Sequence, residues 1–378
     1  MIPVHKEILT ILDSSYKKGN FGLWFNKFVE LDERNNFKVP TRAVNEYKDK
    51  YKEIVFYSKD FLLLKHINQY LFCQSFSSRY ETVVFVADLK SPLIVGIGET
   101  HPSEVSMIFD HNLGIPYVPA SSIKGIVRFA HMLELLDKGI DENKLKQDKE
   151  GNLYIDEEEE WTNVPDIFGT GGDDAKRGKV IFLDSYPLEV PHLHIDIMNP
   201  HYVPYYTDET HKTPPADYHQ PNPIKFLTVA KGSKFIFRVL IDKTHNKYDE
   251  LKNKTIKALK RAITEEGVGA KTSLGYGLFE IVSEKEPSEI IKVYQEKFMS
   301  EEDRLKQIKE RMLAKIDKLP KGSQEVDAFI QEWQRNKKLN KDKEIAEKLI
   351  HKVRKKKKNK QYTKSYKILA DILGISLE

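Results

Sequence analysis

The stretch ETVVFVAD, residues 81–88, decides the fold class because its β-branched and aromatic residues predict a strand. Ser91-Pro92 predicts a turn after it, beyond which residues 93–97 could extend the strand. Residues 121–136 then place apolar side chains three and four positions apart, which predicts an amphipathic helix. A strand followed by a helix favours a mixed α and β fold.

Further strands and a second helix follow along the chain. Short apolar or alternating segments predict strands at 179–183, 192–197, 235–242 and 277–282, and helical spacing predicts a helix at 249–264. A strand–helix–strand unit that recurs with inserts predicts an α+β fold of the ferredoxin-like (RRM-like) type, with one or two such halves.

Two helical regions flank this core. Residues 1–80 are predicted to form an N-terminal helical elaboration packed on the core, with residues 60–76 as a buried helix. Residues 81–289 are the predicted core domain, and the acidic run at 156–160 is predicted to be a solvated loop within it.

Residues 290–378 change in character, because they are dense in Lys and Glu and carry repeated helical apolar spacing. They are predicted to form a charged helical C-terminal extension. Its basic run, 352–360, would attract phosphate non-specifically. The sequence leaves open whether this extension binds RNA or docks a partner subunit.

Composition restricts the protein class. The net charge is only +4, so the distribution of charge says more about nucleic acid than its sum. A single cysteine, Cys73, excludes a disulfide framework and a thiolate zinc site within the chain, which fits a reducing cytoplasm. We expect a cytoplasmic protein with no signal peptide, no membrane span and no cofactor.

The first candidate site is PYVPASSIKGIVR, residues 116–128. Pro119 predicts the end of the preceding segment, and Ser121 or Ser122 is a suitable helix N-cap. The start of a helix offers free N–H groups and a positive dipole, which suit an anion. Lys124 and Arg128 lie four positions apart, where they repel each other unless an anion such as phosphate lies between them. Two ordinary exposed basic residues are an equally good interpretation.

The second candidate site is GVGAKTSLGYG, residues 267–277. One glycine would cap the preceding helix, and the others would allow a ligand to approach the backbone closely. Lys271 supplies a charge and Tyr276 a stacking face, a combination that suits a nucleic-acid backbone with a base beside it. The order of residues is neither a Walker loop nor a Rossmann fingerprint. A purely structural turn remains an alternative.

Three weaker candidates remain. His192, His194 and Asp196 share one face of a predicted strand and could hold a metal, but alternating polar residues on an exposed strand are common. The following segment, 199–206 (NPHYVPYY), looks like a shaped loop that contacts RNA or a neighbouring subunit. Ser121 to Lys124 and Lys271 to Ser273 imitate the S-x-x-K and K-T-G motifs of penicillin-binding enzymes. Serine in place of the motif glycine, and the lack of a clear S-D-N, disfavour that reading.

Taken together, five segments resemble the RAMP superfamily, specifically the subunits of Cmr effector complexes conventionally numbered six. They occur in this order: GIPYVPASSIKGIVR (114–128), DIFGTGGDDAKRGKVIFLDSYP (166–187), DIMNPHYVPYY (196–206), PNPIKFLTVAKGSKFIFRV (221–239) and GVGAKTSLGYGLFEI (267–281). The resemblance covers roughly residues 82–283. It implies a RAMP fold of ferredoxin-like type.

The same resemblance implies a function in antiviral defence. The protein would be a non-catalytic subunit of a type III-B CRISPR ribonucleoprotein, binding near the 3′ end of the guide RNA. Its implied partners are guide RNA, target RNA, a backbone RAMP subunit, a small helical subunit and another terminal RAMP subunit. The residues predicted to contact RNA are Ser121, Ser122, Lys124, Arg128, His201, Tyr202, Gly267, Gly269, Lys271, Thr272, Ser273, Gly275, Tyr276 and Gly277.

A RAMP-type endoribonuclease that processes CRISPR transcripts is the alternative, since related proteins cleave RNA with a general base. The loop histidines His101, His111, His201 and His219 are its candidates, and the sequence selects none of them. No catalytic residue and no metal ligand is assigned.

Overall fold

The structure is a computed structural model. It describes residues 1–12, 16–35, 39–40, 42–103, 105–139, 141–147, 153–155, 164–170, 175–199, 202–210, 212–214, 216, 221, 223–355 and 361–377. The chain divides into two compact units, Met1–Ile290 and Ile291–Glu378. The acidic run 156–160 lies outside the described residues, as do residues 356–360 of the basic run.

The strands are β1 (Tyr80–Leu89), β2 (Leu145–Gln147), β3 (Leu153–Ile155), β4 (Val180–Phe182), β5 (Tyr186–Pro187), β6 (Leu193–Met198), β7 (Ile224–Val229), β8 (Lys234–Asp242) and β9 (Phe279–Ser283). The helices of the first unit are α1 (Lys6–Ile11), α2 (Phe21–Asn26), α3 (Ala43–Ile54), α4 (Ser58–Ser75), α5 (Ala120–Asp137), α6 (Val164–Phe168), α7 (Val203–Thr207) and α8 (Tyr248–Arg261). The remaining helices are α9 (Ser288–Lys297), α10 (Glu301–Lys318), α11 (Gln324–Gln334), α12 (Lys343–Ile350) and α13 (Lys364–Leu373).

The main sheet has the strand order β4–β8–β1–β9, with the short β5 also paired to β8, and every pairing is antiparallel. Its strands and helices follow the order β1, α5, β4, β8, α8, β9, which is the strand–helix–strand–strand–helix–strand order of the expected unit. The other strands described pair only as the two-stranded sheets β2–β3 and β6–β7, so they build no second such unit. The α+β prediction with helical additions is confirmed.

The two central strands bury side chains on both faces of the sheet. Odd-numbered residues such as Phe85 of β1 and Phe237 of β8 enter the main core together with α5 and α8. Because successive strand residues point to opposite faces, Leu240 lies on the other face, where it packs with Cys73 of α4. Helices on both faces explain why β8 is almost entirely buried.

The N-terminal helices belong to the same core. Phe21 of α2 meets Tyr51 of α3 edge-on, with ring centroids 4.9 Å apart, and Trp24 meets Tyr47 at 4.8 Å. These aromatic contacts bury residues that carried no clear periodic signal in the sequence. The predicted helix at 60–76 is confirmed as α4, but it is buried on one face only, since Phe61 and Phe72 are exposed.

The suggestion that residues 93–97 extend β1 is wrong. Leu93 leaves the main sheet and forms an isolated antiparallel bridge to Val229 of β7. Pro92 has no N–H group with which to continue the ladder beyond the turn, and the chain therefore joins the β6–β7 hairpin.

The second unit has its own hydrophobic core. Trp333 of α11 is fully buried, and its indole N–H donates to the Leu339 carbonyl oxygen at 2.7 Å. Helices α10 to α13 surround it with apolar side chains, which confirms the predicted helical C-terminal extension. Among the described residues, neither unit contains a helix that is both long enough and apolar enough to cross a membrane.

Candidate functional site

Helix α5 begins earlier than predicted, because its N-cap residue lies two or three positions before the predicted ones. Pro119 is the N-cap residue and makes no side-chain capping bond, so the prediction of Ser121 or Ser122 as N-cap is wrong. Both serines lie inside the first turn. The backbone N–H of Ala120 instead donates to Oδ1 of Asp184 at 2.7 Å, from a carboxylate 64 positions away. An acidic group already occupies part of the predicted anion site.

The two basic residues of α5 lie as the sequence predicted. Lys124 is exposed and Arg128 is half-buried, one helical turn further on. Burial, and then the charge of Arg128, lower the pKa of Lys124 below its usual value. The folded protein therefore holds two cations at a distance where they repel each other, and an anion between them would relieve that repulsion.

Three glycines of the 267–277 loop make room for backbone carbonyl groups of the chain itself. Gly267, Gly269 and Gly277 all have positive φ, and a Cβ atom at each would lie within 2.6 Å of a backbone carbonyl oxygen. The closest approach is at Gly277, where a Cβ would lie 1.9 Å from the oxygen of Val268. Only Gly275 faces open space. Close approach to a ligand is therefore required at no more than one of the four.

Most backbone N–H groups of this loop are also in use. Those of Val268, Ala270, Leu274, Gly275, Tyr276 and Gly277 donate to carbonyl groups of the chain itself. A ligand would consequently meet the side chains of the loop before its backbone. Ser273 and Leu274 form its exposed tip, and Leu274 is 70% exposed.

Lys271 adopts a left-handed backbone conformation, with φ of 58°, and is the sole non-glycine residue with positive φ in the described part of the chain. Its Nζ lies 3.1 Å from the sulfur of Met198 and over the ring of Phe226, 5.7 Å from the centroid. Such strain persists only when surrounding contacts hold it, and here the β6–β7 hairpin provides them.

Tyr276 is tied to the same hairpin. Its hydroxyl group donates to Oδ2 of Asp196 at 2.6 Å, and burial together with that carboxylate raises the pKa of Tyr276 to about 12. The ring is partly buried beside Phe226. Its predicted stacking on a base remains a prediction, since one end of the side chain is committed to Asp196. The hairpin was missed from sequence because its second strand, β7, was not predicted.

Two of the three candidate metal ligands are engaged by other side chains. Asp196 binds Tyr276, whereas His192 lies 2.6 Å from Nζ of Lys52 through its Nε2 atom. His194 is exposed on β6. Within the described part of the chain, no three His, Cys, Asp or Glu side chains come together as a metal site requires.

The segment that connects β6 to β7 is only partly described. Tyr202 is the half-buried N-cap residue of α7, while His201 and His219 lie outside the described residues. His101 is buried, with Nε2 2.7 Å from the Phe25 carbonyl oxygen and its ring stacked on Phe25. That packing makes His101 part of the core. His111 is exposed and lines a cleft of about 540 Å³ with Tyr117.

Both predicted segments lie at one end of the main sheet. At this end β1 finishes, and Leu89 pairs with Phe279, the first residue of β9. The glycine loop is fixed here because Gly277 N–H donates to the Pro92 carbonyl oxygen at 2.9 Å and Ala270 N–H to that of Ile94 at 2.8 Å.

The start of α5 reaches the same end through a different strand. Val118 bridges to Ser185, next to β5, whose Tyr186 pairs with Ile236 near the beginning of β8. From β5 across β8 and β1 to β9 are three strand spacings, or about 14 Å. The helix start and the glycine loop thus lie at the same end of the sheet, beside its opposite outer strands.

The known proteins that this chain resembles are RAMP and Cmr proteins. The model of the RAMP superfamily matches residues 86–280. The CRISPR system Cmr subunit Cmr6 of Pyrococcus furiosus is 32% identical over 296 residues, which cover 68% of this chain and 80% of that protein. Cmr6 of Saccharolobus solfataricus is 29% identical over 265 residues, covering 68% and 71%.

Two solved structures are also similar. One is the type III-B Cmr-beta complex bound to cognate target RNA, with a TM-score of 0.38 and 23% identity, covering 66% of this chain and 68% of the matched one. The other is Cmr6 from Pyrococcus furiosus, with a TM-score of 0.34 and 30% identity, covering 53% and 98%.

Proposed function

This chain belongs to the RAMP superfamily as a Cmr6-type subunit, and from this premise we propose that it is a non-catalytic RNA-binding subunit of a type III-B CRISPR effector. Its ligand is the guide RNA, held near the 3′ end. Its neighbours are a backbone RAMP subunit, a small helical subunit and another terminal RAMP subunit, with target RNA paired to the guide.

One observation carries the proposal: the basic start of α5 and the 267–277 loop, far apart in sequence, flank the same end of the sheet. Lys124 and Arg128 supply positive charge on one side, and the hydroxyl groups of Thr272 and Ser273 supply hydrogen-bond donors on the other. An RNA backbone crossing this end of the sheet would meet both.

Binding here would read backbone and not sequence. Cations and hydroxyl groups contact phosphate and 2′-OH oxygens, which every nucleotide presents. The Asp184 carboxylate at the start of α5 restricts where a phosphate can lie, and favours a position nearer Lys124 and Arg128 than the helix axis. Thr272 and Ser273, with Lys271, would complete the contact on the other side.

The test is the salt dependence of RNA binding by the full chain. We expect the Lys124→Gln, Arg128→Gln variant to bind all single-stranded RNA sequences more weakly. The slope of log affinity against log salt should fall by about 1.4, the value for two phosphate contacts. An unchanged slope would remove these residues from the interface.

A matched control removes two exposed lysines elsewhere in the same unit. Lys138 lies at the opposite end of α5, about 27 Å from its start, and Lys59 lies in α4. The Lys59→Gln, Lys138→Gln variant should keep the slope of the parent. RNA recovered intact after incubation supports a non-catalytic role, and specific cleavage by the purified chain would contradict it.

A further inference from the structure

The two units of the chain differ sharply in charge. Residues 291–378 hold 24 Lys and Arg against 14 Asp and Glu, a net charge of +10. Residues 1–290 hold 37 against 43, a net charge of −6. The near-neutral total conceals a strongly basic unit outside the part that matches the RAMP family model. Such asymmetry is typical of chains that meet a polyanion.

The basic residues of this unit are concentrated in one segment. Residues 348–370 contain ten Lys and Arg and no Asp or Glu. Elsewhere in the unit, 14 Lys and Arg are balanced in number by 14 Asp and Glu. Some of them form ion pairs: Lys309 with Asp342 at 2.9 Å, and Lys338 with Glu301. Lys348 marks the boundary, since it still binds Asp317 at 2.9 Å.

Beyond that boundary, four cations form one surface at the start of α13. Arg354, Lys355, Lys364 and Lys367 are all exposed, and none of them forms an ion pair with a carboxylate of the described residues. Lys364 and Lys367 lie three positions apart, on the same side of the helix. We name these four residues the α13 basic surface.

Hydrogen bonds fix this surface to the folded core of the unit. Thr363, the N-cap residue of α13, donates from its hydroxyl group to the Arg354 carbonyl oxygen at 2.7 Å and from its N–H to that of Lys355 at 3.2 Å. The ammonium group of Lys355 lies over the ring of Tyr366, 5.6 Å from its centroid. Tyr366 itself is buried in the core. The four charges are therefore held together, unlike those of a solvated tail.

We propose that the α13 basic surface is a second RNA-binding site of this chain, which takes the phosphate backbone without regard to sequence. Four exposed cations brought together at the start of α13, beside no carboxylate of the described residues, cost electrostatic repulsion that a polyanion removes. The choice of RNA as the polyanion rests on the proposed function. The site itself does not, because it depends on none of the residues at the end of the main sheet.

The experiment uses the full chain and two single-stranded homopolymers, oligo(U) and oligo(A), titrated between 50 and 200 mM salt. The variant Arg354→Gln, Lys355→Gln, Lys364→Gln, Lys367→Gln should lower the salt slope by about 2.8 for both polymers. Over this range its binding should weaken about 50-fold less than that of the parent.

Two further variants separate charge from folding. The variant Lys355→Arg, Lys364→Arg, Lys367→Arg keeps every charge and should keep the slope. The variant Lys306→Gln, Arg311→Gln, Lys315→Gln, Lys337→Gln removes four exposed charges elsewhere in the unit, and its slope should also match the parent.

The outcomes distinguish this inference from the proposed function. A lowered slope in the α13 variant together with an unchanged slope in the Lys124→Gln, Arg128→Gln variant would keep the second site and reject the first. A parental slope in the α13 variant would overturn the second site. Binding of poly-glutamate in place of RNA, lost in the same variant, would also overturn it and identify a docking surface for an acidic protein.

Discussion

The two units of this chain differ in the surroundings of their most prominent cations. In residues 1–290, two arginines are bound to carboxylates within the fold: Arg238 of β8 is completely buried and bound to Glu286, and Arg79 binds Asp242 at 2.7 Å. In residues 291–378, the four cations of the α13 basic surface remain exposed beside no carboxylate of the described residues.

Under the proposed function, this difference implies two kinds of RNA contact. A unit with a net charge of −6 repels RNA on average, so binding at Lys124 and Arg128 would depend on the placement of a few groups. A unit with a net charge of +10 attracts a polyanion on average, and contact at the α13 basic surface should be the more salt-sensitive.

The largest effect is expected at the buried ion pair of the first unit. Glu286→Gln leaves Arg238 buried without a countercharge and should lower the free energy of unfolding by about 3–5 kcal/mol. Chemical denaturation measures this loss of unfolding free energy. Glu284→Gln, two positions away, breaks an exposed pair with Lys260 and should cost no more than about 1 kcal/mol. Equal losses of unfolding free energy in the two variants would show that burial does not determine how much each ion pair stabilises the fold.

Substitution of one glycine in the 267–277 loop should destabilise the fold nearly as much. Gly277→Ala places a Cβ against the Val268 carbonyl oxygen at positive φ, and should lower the free energy of unfolding by about 3–4 kcal/mol. Gly275→Ala meets no neighbour and should cost about 1–2 kcal/mol from its φ alone. If RNA crosses the loop tip, Gly275→Ala should weaken RNA binding despite this smaller cost. Similar unfolding energies for the two variants would contradict the packing described.

His66 gives the first unit a dependence on pH. Burial, and then the charge of Arg238, lower the pKa of His66 to about 4. Its Nε2 lies 2.8 Å from the Pro187 carbonyl oxygen, so the neutral ring donates there. Between pH 6.5 and 4 the unfolded chain binds a proton that the folded chain does not, and stability should fall by about 3 kcal/mol as pH falls through this window. The free energy of unfolding of the His66→Gln variant should depend less on pH. Parallel plots of unfolding free energy against pH for the parent and the variant would contradict this role of His66.

The smallest effect is expected at Asp184. Asp184→Asn keeps an acceptor for the Ala120 N–H group but removes a negative charge from the start of α5. RNA affinity at low salt should rise about two- to five-fold, which corresponds to less than about 1 kcal/mol. Glu189→Gln, at an exposed position nearby in the sequence, is the control and should change little. Weaker RNA binding by Asp184→Asn would indicate that the carboxylate serves the site.

The helices and strands that were predicted correctly are those whose residue pattern lies within one short segment of the sequence. The run at 81–88 became β1 because its pattern suits a central strand, and helical spacing placed α5 and α8 correctly. Helices α2 and α3 were not predicted, because their aromatic residues are explained only by contacts such as that between Phe21 and Tyr51.

The candidate site was predictable in composition but not in detail. Lys124 and Arg128 share a face because helical geometry requires it. Asp184 acts on α5 from 64 positions away, and no local pattern indicates such a contact. The glycines looked like places for a ligand, whereas three of them make room for backbone oxygens that only the folded chain brings near.

The most direct test of the central claim is ultraviolet crosslinking of the full chain to single-stranded guide RNA, followed by mass spectrometry of the crosslinked peptides. We predict crosslinks in two separate peptides of the first unit, one containing Ser121 to Arg128 and the other containing Lys271 to Tyr276. Both should persist when the α13 basic surface is neutralised. Crosslinks confined to residues 354–367, with neither of these peptides labelled, would contradict the claim that RNA is held at the end of the main sheet.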